Sequence, residues 1–164
     1  MFFFYFNTKS IKVELGSLPN EHDMAIVSID QYGNIGELNK LVLRQYGYSE
    51  HILKELNLVK GYDLFELNSK PILFIVTIND ALVGTKDGTK FNLSTNLSKA
   101  IDNYFDFFRG RSIWIPLMGS GSGGLTMNES FDSIINVLKL RILKIEKYNC
   151  TFNISIPDNN EGLK

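Results

Sequence analysis

Three nearly unbroken apolar runs, at residues 24–29, 72–78 and 113–118, constrain this chain more than any other feature. Each is short and rich in Ile, Val or Phe, which suits a strand better than a helix. A strand that is apolar on both sides must be covered on both sides. The covering material is legible too. Ile35, Leu38, Leu41, Val42 and Tyr46 recur at helical spacing. So do Leu97, Ala100, Ile101, Tyr104, Phe105 and Phe108, and then Phe131, Ile134, Ile135, Leu138 and Ile142. Residues 11–15 and 151–156 alternate apolar and polar, as half-buried strands do, and 62–67 reads as a further strand. The order is strand, strand, helix, strand, strand, helix, strand, helix, strand. It predicts an α/β sheet with helices on both faces.

Punctuation supports that order. Gly47 is a fitting helix stop, and Ser49 caps a short helix carrying Ile52, Leu53 and Leu56. Asn68-Ser69-Lys70-Pro71 is a turn. Residues 79–92 read as a long irregular loop, with Ser94 or Thr95 capping the next helix and Gly110 ending it. The following helix starts near Thr126 or Asn128, and a polar tail begins at Pro157. With 164 residues and no linker or repeat, the chain is expected to be one domain over 1–164.

Composition removes several function classes. Seventeen basic residues face eighteen acidic ones, so no basic surplus exists to neutralise many phosphates, and nucleic acid is not an expected partner. One cysteine and two histidines give neither an internal disulfide nor a metal set. No apolar run approaches the ~20 residues of a bilayer span, and the expected location is the cytoplasm. The greasy opening Met-Phe-Phe-Phe-Tyr-Phe reads as an edge strand or a tail packed on the core. The competing reading is the stub of a membrane segment.

Chemistry concentrates in Gly119-Ser120-Gly121-Ser122-Gly123-Gly124, between a buried strand and a helix. Glycines permit unusual backbone angles and close approach of a ligand. Successive N–H groups in such a loop form an anion-binding concavity, and the next helix N-terminus adds positive partial charge. A pyrophosphate fits there, with the Ser120 and Ser122 hydroxyls as further donors. A nucleotide P-loop is excluded, because Gly124 is followed by Leu125-Thr126 and no lysine. A dinucleotide fingerprint is excluded by position, since it follows a first strand and this loop lies late in the chain.

Residues Ile115-Pro116-Leu117-Met118-Gly119-Ser120-Gly121 resemble the strand and glycine loop that contact the diphosphate in macro domains. Ile11-Lys12-Val13-Glu14-Leu15-Gly16-Ser17-Leu18 and Met24-Ala25-Ile26-Val27-Ser28 are similar to two upstream strands of that family. The resemblance covers about residues 9–158. It implies a three-layer α/β/α fold with a mixed central sheet and, as ligand rather than cofactor, ADP-ribose or a derivative. Three departures stand out. The family's adenine-binding Asp aligns with Met24, with Asp23 one place early; the Asn ending the second strand is Ser28; and the first glycine loop is replaced by Asp30-Gln31-Tyr32-Gly33-Asn34-Ile35-Gly36. The last two weigh against hydrolysis. The sequence Ile-Pro-Leu-Met-Gly-Ser-Gly followed by Ser-Gly-Gly-Leu is most similar to the macro-like domain of bacterial Thoeris antiphage effectors.

That resemblance implies a sensor of an ADP-ribose-derived signal made by a TIR-domain enzyme. It also implies read-out through a homo-oligomer and, in a longer parent protein, a membrane tether. The implied binding residues are Met118, Gly119, Ser120, Gly121, Ser122, Gly123, Gly124 and Leu125 for the diphosphate. Ser28, Tyr32, Gly33, Asn34 and Ile35 would enclose the distal ribose, Asp23 and Met24 would border the adenine, and Pro157 and Asp158 would cap it. The alternatives are an ADP-ribosyl hydrolase, which would require a general base such as Asp30, and an interaction domain with a degenerate pocket. Elsewhere the bland readings prevail. Asp102 and Asp106 share a solvated helix face, Asp80 and Asp87 form no evident catalytic pair, and His22 is an exposed loop residue. Cys150 is inert, Trp114 is core, and Arg109 and Arg111 lie far from the phosphate site.

Overall fold

The computed structural model describes residues 8–16, 18–79, 85–121 and 123–157. Six strands form one sheet: β1 (Ile11–Leu15), β2 (Met24–Asp30), β3 (Tyr62–Phe65), β4 (Ile72–Ile78), β5 (Ser112–Pro116) and β6 (Thr151–Ile156). Their order is β1-β6-β5-β2-β4-β3. Every neighbouring pair is parallel except β3 and β4, which are antiparallel, so the sheet is mixed. The helices are α1 (Glu37–Gln45), α2 (Lys86–Phe108), α3 (Met127–Lys139) and α4 (Ile142–Lys147), with a short 3-10 helix at Glu50–Glu55.

The apolar runs behave as their composition requires. Alternate residues of β2, β4 and β5 enter two separate cores. Ile26, Leu73, Ile75, Ile113 and Ile115 join Leu97 and Ile101 of α2 and Ile134 and Leu138 of α3. Ala25, Val27, Phe74 and Trp114 join Val42 and Leu43 of α1 and Ile52 of the 3-10 helix. This is the three-layer arrangement expected for parallel strands buried on both sides. No helix among the described residues is long and apolar enough to cross a membrane.

Four boundaries differ from expectation. Helix α2 begins at Lys86, with Thr85 as cap accepting from the Gly88 N–H at 3.1 Å, and not after Ser94 or Thr95. Its first three turns put Thr89, Asn92 and Asn96 on the buried side, so no apolar stripe marks them. The last helical segment is two helices, and Ile142 belongs to α4. Arg141 leaves helical geometry at φ −115°, ψ 12°, and its guanidinium reaches Asp102 at 2.7 and 2.9 Å and the Val137 carbonyl at 3.0 Å. Asp102 is therefore paired, not merely solvated, and the Arg141 hydrogen bonds hold its carboxyl below the usual carboxylate range. Strand β3 ends at Phe65, because the Leu67 N–H turns to the Tyr48 hydroxyl. Strand β5 runs from Ser112 and ends at Pro116, which lacks the N–H to extend the ladder.

Candidate functional site

A cavity of about 420 Å³ opens at the carboxyl ends of β2, β4 and β5. After β2 the chain passes to α1 on one face; after β5 it passes to α3 on the other. The diverging connections leave a crevice between two adjacent parallel strands, the place where open α/β sheets take ligands. Ser28 and Asp30 of β2, Thr77 and Ile78 of β4 and Pro116 of β5 form the floor. Residues 34–39 and the glycine loop form the walls. Among the described residues the lining contains the carboxylates of Asp30 and Glu37 and no Lys, Arg or His. An anion held here must therefore be held by neutral dipoles, above all backbone N–H groups.

The glycine loop is shaped by what it excludes. Gly119 has φ +79°, and a Cβ there would stand 2.8 Å from Thr89 Cγ2 and 3.0 Å from Leu125 Cδ1. A Cβ on Gly123 would meet the Gly119 carbonyl oxygen and Thr89 Cγ2, both at 2.7 Å. Gly121 faces open space. The loop is closed by the Leu125 N–H on the Gly119 carbonyl at 3.0 Å and by the Gly124 N–H on the Gly121 carbonyl at 3.3 Å. Ser130 Oγ donates to the Met118 carbonyl at 2.6 Å and ties the loop to α3. The N–H groups of Gly119, Ser120, Gly121 and Gly123 donate to no other described residue.

Two expected contributions are already committed elsewhere. The Ser120 hydroxyl donates to the Leu117 carbonyl at 2.8 Å. The α3 N-terminus carries a capping box: Glu129 N–H donates to Thr126 Oγ1 at 3.1 Å, and Thr126 N–H donates to Glu129 Oε1 at 2.9 Å. The Thr126 N–H, aided by Lys86 Nζ at 3.1 Å, keeps the Glu129 carboxyl below its ordinary range. The positive end of α3 is thus answered by the chain's own carboxylate.

The facing wall follows a different design. Asp30 Oδ1 accepts from the N–H groups of Tyr32 and Asn34, both at 2.9 Å, and Oδ2 accepts from Asn34 Nδ2 at 3.0 Å. Both carboxylate oxygens brace the 30–34 turn. Behind them Asn39, from α1, donates to the Ser28 carbonyl at 2.8 Å and to Ser28 Oγ at 3.3 Å. Asn39 is 7% exposed and lines the cavity, yet it sits among helix residues where sequence pattern gave it no distinction.

The expected binding residues separate into groups. Ser28, Asn34, Ile35, Met118, Gly119, Ser120, Gly121 and Gly123 line the cavity together. Tyr32 and Gly33 belong to the same turn but face other cavities on its far side. Leu125 is 4% exposed and supports the loop from within, while Gly124 is exposed at φ +82° outside the lining. Pro157 follows β6 and lines no cavity described here. Ser122 and Asp158, like Asp80 and the Met1 to Phe6 opening, lie outside the described residues.

Asp23 and Met24 sit at the amino end of β2, whereas the cavity opens at its carboxyl end. Met24 is fully buried and pairs with Ile113 at the start of β5. Asp23 Oδ2 accepts from the Ser112 N–H at 2.7 Å, closing the amino end of the sheet. Four residues of strand, roughly 13 Å, separate Met24 from Ser28. His22 is likewise not an exposed loop residue; it is 8% exposed, with Nε2 2.7 Å from Glu14 Oε1. Cys150 is buried, and burial pushes its thiol up to about 11, as an inert cysteine requires. Arg109 and Arg111 lie at the β5 entrance, over the rings of Tyr148 and Phe107 at 4.2 and 4.3 Å.

No protein-family model and no curated protein matches this sequence. Solved structures with similar architecture do exist. The macrodomain of Mycobacterium tuberculosis DarG superposes with a TM-score of 0.60 at 13% identity, covering 87% of this chain and 96% of that one. A Trypanosoma brucei macrodomain in complex with ADP-ribose gives 0.65 at 14% identity, over 94% of this chain and 66% of that one. The Oceanobacillus iheyensis macrodomain with ADP gives 0.69 at 12% identity, over 96% and 88%. With its six-stranded mixed sheet between helical layers, this chain has the macrodomain fold.

Proposed function

We propose that the cavity at the carboxyl ends of β2, β4 and β5 binds an ADP-ribose-type nucleotide. The observation that carries this reading is the glycine loop: four backbone N–H groups with no partner in the described fold, on a wall with no cation among the described residues. A diphosphate satisfies those donors without a counter-ion, as oriented amides in a concave loop allow. The solved macrodomains with ADP-ribose or ADP supply the ligand class. Binding is favoured over hydrolysis because both oxygens of Asp30, the candidate base, already hold the turn. Following the resemblance to Thoeris effectors, the domain acts as a sensor of a TIR-generated ADP-ribose derivative in antiphage defence, and ligand occupancy is transmitted to an assembly.

Calorimetry with ADP-ribose, with AMP as control, tests the first step. ADP-ribose is expected to bind much more tightly than AMP. Gly121→Glu, whose new side chain starts in open space and brings a negative charge to the loop, is expected to abolish that binding and leave the melting temperature nearly unchanged. Unchanged affinity in this variant overturns the phosphate-loop assignment.

A further inference from the structure

A second cavity, of about 740 Å³, lies across the 30–34 turn from the first, between the 3-10 helix, β4 and α2. Its chemistry is the reverse of the first. Lys54, Lys60 and Lys99 come to it from three different segments, all exposed, and no acidic residue among the described residues lines it. None of the three makes an ion pair with a described residue. Lys60 Nζ stands over the Tyr62 ring at 4.8 Å, which orients it without neutralising it.

The inner wall is amide. Asn92 and Asn96, one turn apart on the buried side of α2, spend their Nδ2 groups on the Thr77 and Val76 carbonyls at 3.2 and 2.7 Å. Asn79 Nδ2 donates to Asn92 Oδ1 at 3.2 Å. Each Nδ2 group of this ladder is tied to an oxygen of the fold, and Asn79 Oδ1 is buried with no partner among the described residues, so the wall carries no charge and the anion specificity rests on the lysines. Gly61, at φ +98°, has no side chain because a Cβ would overlap the Asn96 carboxamide. The space over the ladder is thereby kept open.

We infer that this second cavity is a binding site for a phosphomonoester, held by Lys54, Lys60 and Lys99. Three lysines with no ion pair to a described residue line one concavity, and their summed charge raises the local concentration of a dianion. The phosphate can belong to a separate small molecule, or to a group attached to the terminal ribose of a nucleotide in the first cavity. Only the second source rests on the function proposed above.

The test is calorimetry on the whole chain with ribose 5-phosphate, ribose as control, at two salt concentrations. The wild type is expected to bind ribose 5-phosphate and not ribose, more weakly at high salt. Lys54→Glu/Lys99→Glu, both on exposed side chains, is expected to weaken that binding at least tenfold while ADP-ribose affinity stays within twofold. A second arm titrates ADP-ribose phosphorylated on its terminal ribose. If the variant loses affinity for this compound and not for ADP-ribose, the phosphate arrives on the nucleotide. If it loses ribose 5-phosphate alone, the phosphate is a separate ligand. Ribose 5-phosphate binding that survives the double substitution overturns the proposal, as does absence of binding by both phosphorylated compounds. Lysine-dependent binding of ribose 5-phosphate in a protein that ignores ADP-ribose would remove the first-cavity reading and leave this one standing.

Discussion

The two loops that wall the first cavity sit at the ends of neighbouring strands and are stabilised by different means. The glycine loop adds steric exclusion to its closing hydrogen bonds: Gly119 and Gly123 lie so close to Thr89 and to the loop's own carbonyl that no other residue fits. The 30–34 turn is fixed by attraction, with one carboxylate accepting three hydrogen bonds. Steric exclusion tolerates no added atom but depends on no charge. A braced turn tolerates bulk but depends on a single acceptor set. The lesson is that the amide donors of the first loop can remain unspent because close packing and hydrogen bonds from other groups to the carbonyls of residues 117–121 hold the loop in place.

Substitutions in the glycine loop should break this contrast most sharply. Gly123→Ala is expected to destabilise the protein by about 2–3 kcal/mol, the upper range for overpacking, and to eliminate ADP-ribose binding. Thermal melts should show a fall of very roughly 4–12 °C. Gly119→Ala should be nearly as damaging, but for a different reason: its nearest obstacles are side chains. Combining it with Thr89→Ala should recover part of the loss, while the same partner should do less for Gly123→Ala, whose obstacles include a backbone oxygen at 2.7 Å. Equal rescue of both would show that the loop is not packed as described.

The facing turn should respond to acceptor chemistry. Asp30→Ala removes all three bonds and is expected to cost about 1–2 kcal/mol. Asp30→Asn keeps a carbonyl oxygen for the Tyr32 and Asn34 N–H groups and should recover most of that stability. The same pair distinguishes a brace from a base: a hydrolytic reaction would be as dead in Asp30→Asn as in Asp30→Ala. If slow turnover of an ADP-ribosylated substrate were lost in both, with stability preserved in the Asn variant, the binding-only reading would have to yield.

Smaller effects come from the far end of the glycine loop. Thr126→Ala should cost about 1 kcal/mol, a usual value for a lost helix cap, measured by denaturant titration. Acid should act through Glu129 and Asp102, whose folded-state pKa values lie below their ordinary range. A depressed carboxylate contributes stability above its unfolded pKa, about 4. That contribution is lost as pH falls through the folded value. The melting temperatures of wild type and Glu129→Gln should therefore differ slightly at neutral pH and converge below about pH 4.

Most of the sheet was legible because its physics is local to the sequence. The strands at 11–15, 72–78 and 151–156 and the helix stop at Gly47 follow from alternation, apolar runs and the φ of +80° that Gly47 adopts. Eight of the expected binding residues converge, since a glycine loop between strand and helix has few places to go. What escaped depends on tertiary partners. The start of α2 is marked by Thr89, Asn92 and Asn96, polar residues that are buried because strand carbonyls and a glycine loop await them. Asn39 was hidden for the same reason. The place of Asp23 at the amino end of the sheet depends on strand direction, which a resemblance between short segments does not show.

Trp114, two residues before the end of β5, is the chain's one tryptophan. Its ring is fully buried in the core beneath α1, and its indole N–H meets no acceptor among the described residues. Such an indole emits at short wavelength in the native protein and shifts to the red when water reaches it. The chain therefore carries an intrinsic fluorophore on the strand that leads into the glycine loop. Intrinsic emission can follow melting of the α1 face in every variant above, without a label and without disturbing either cavity.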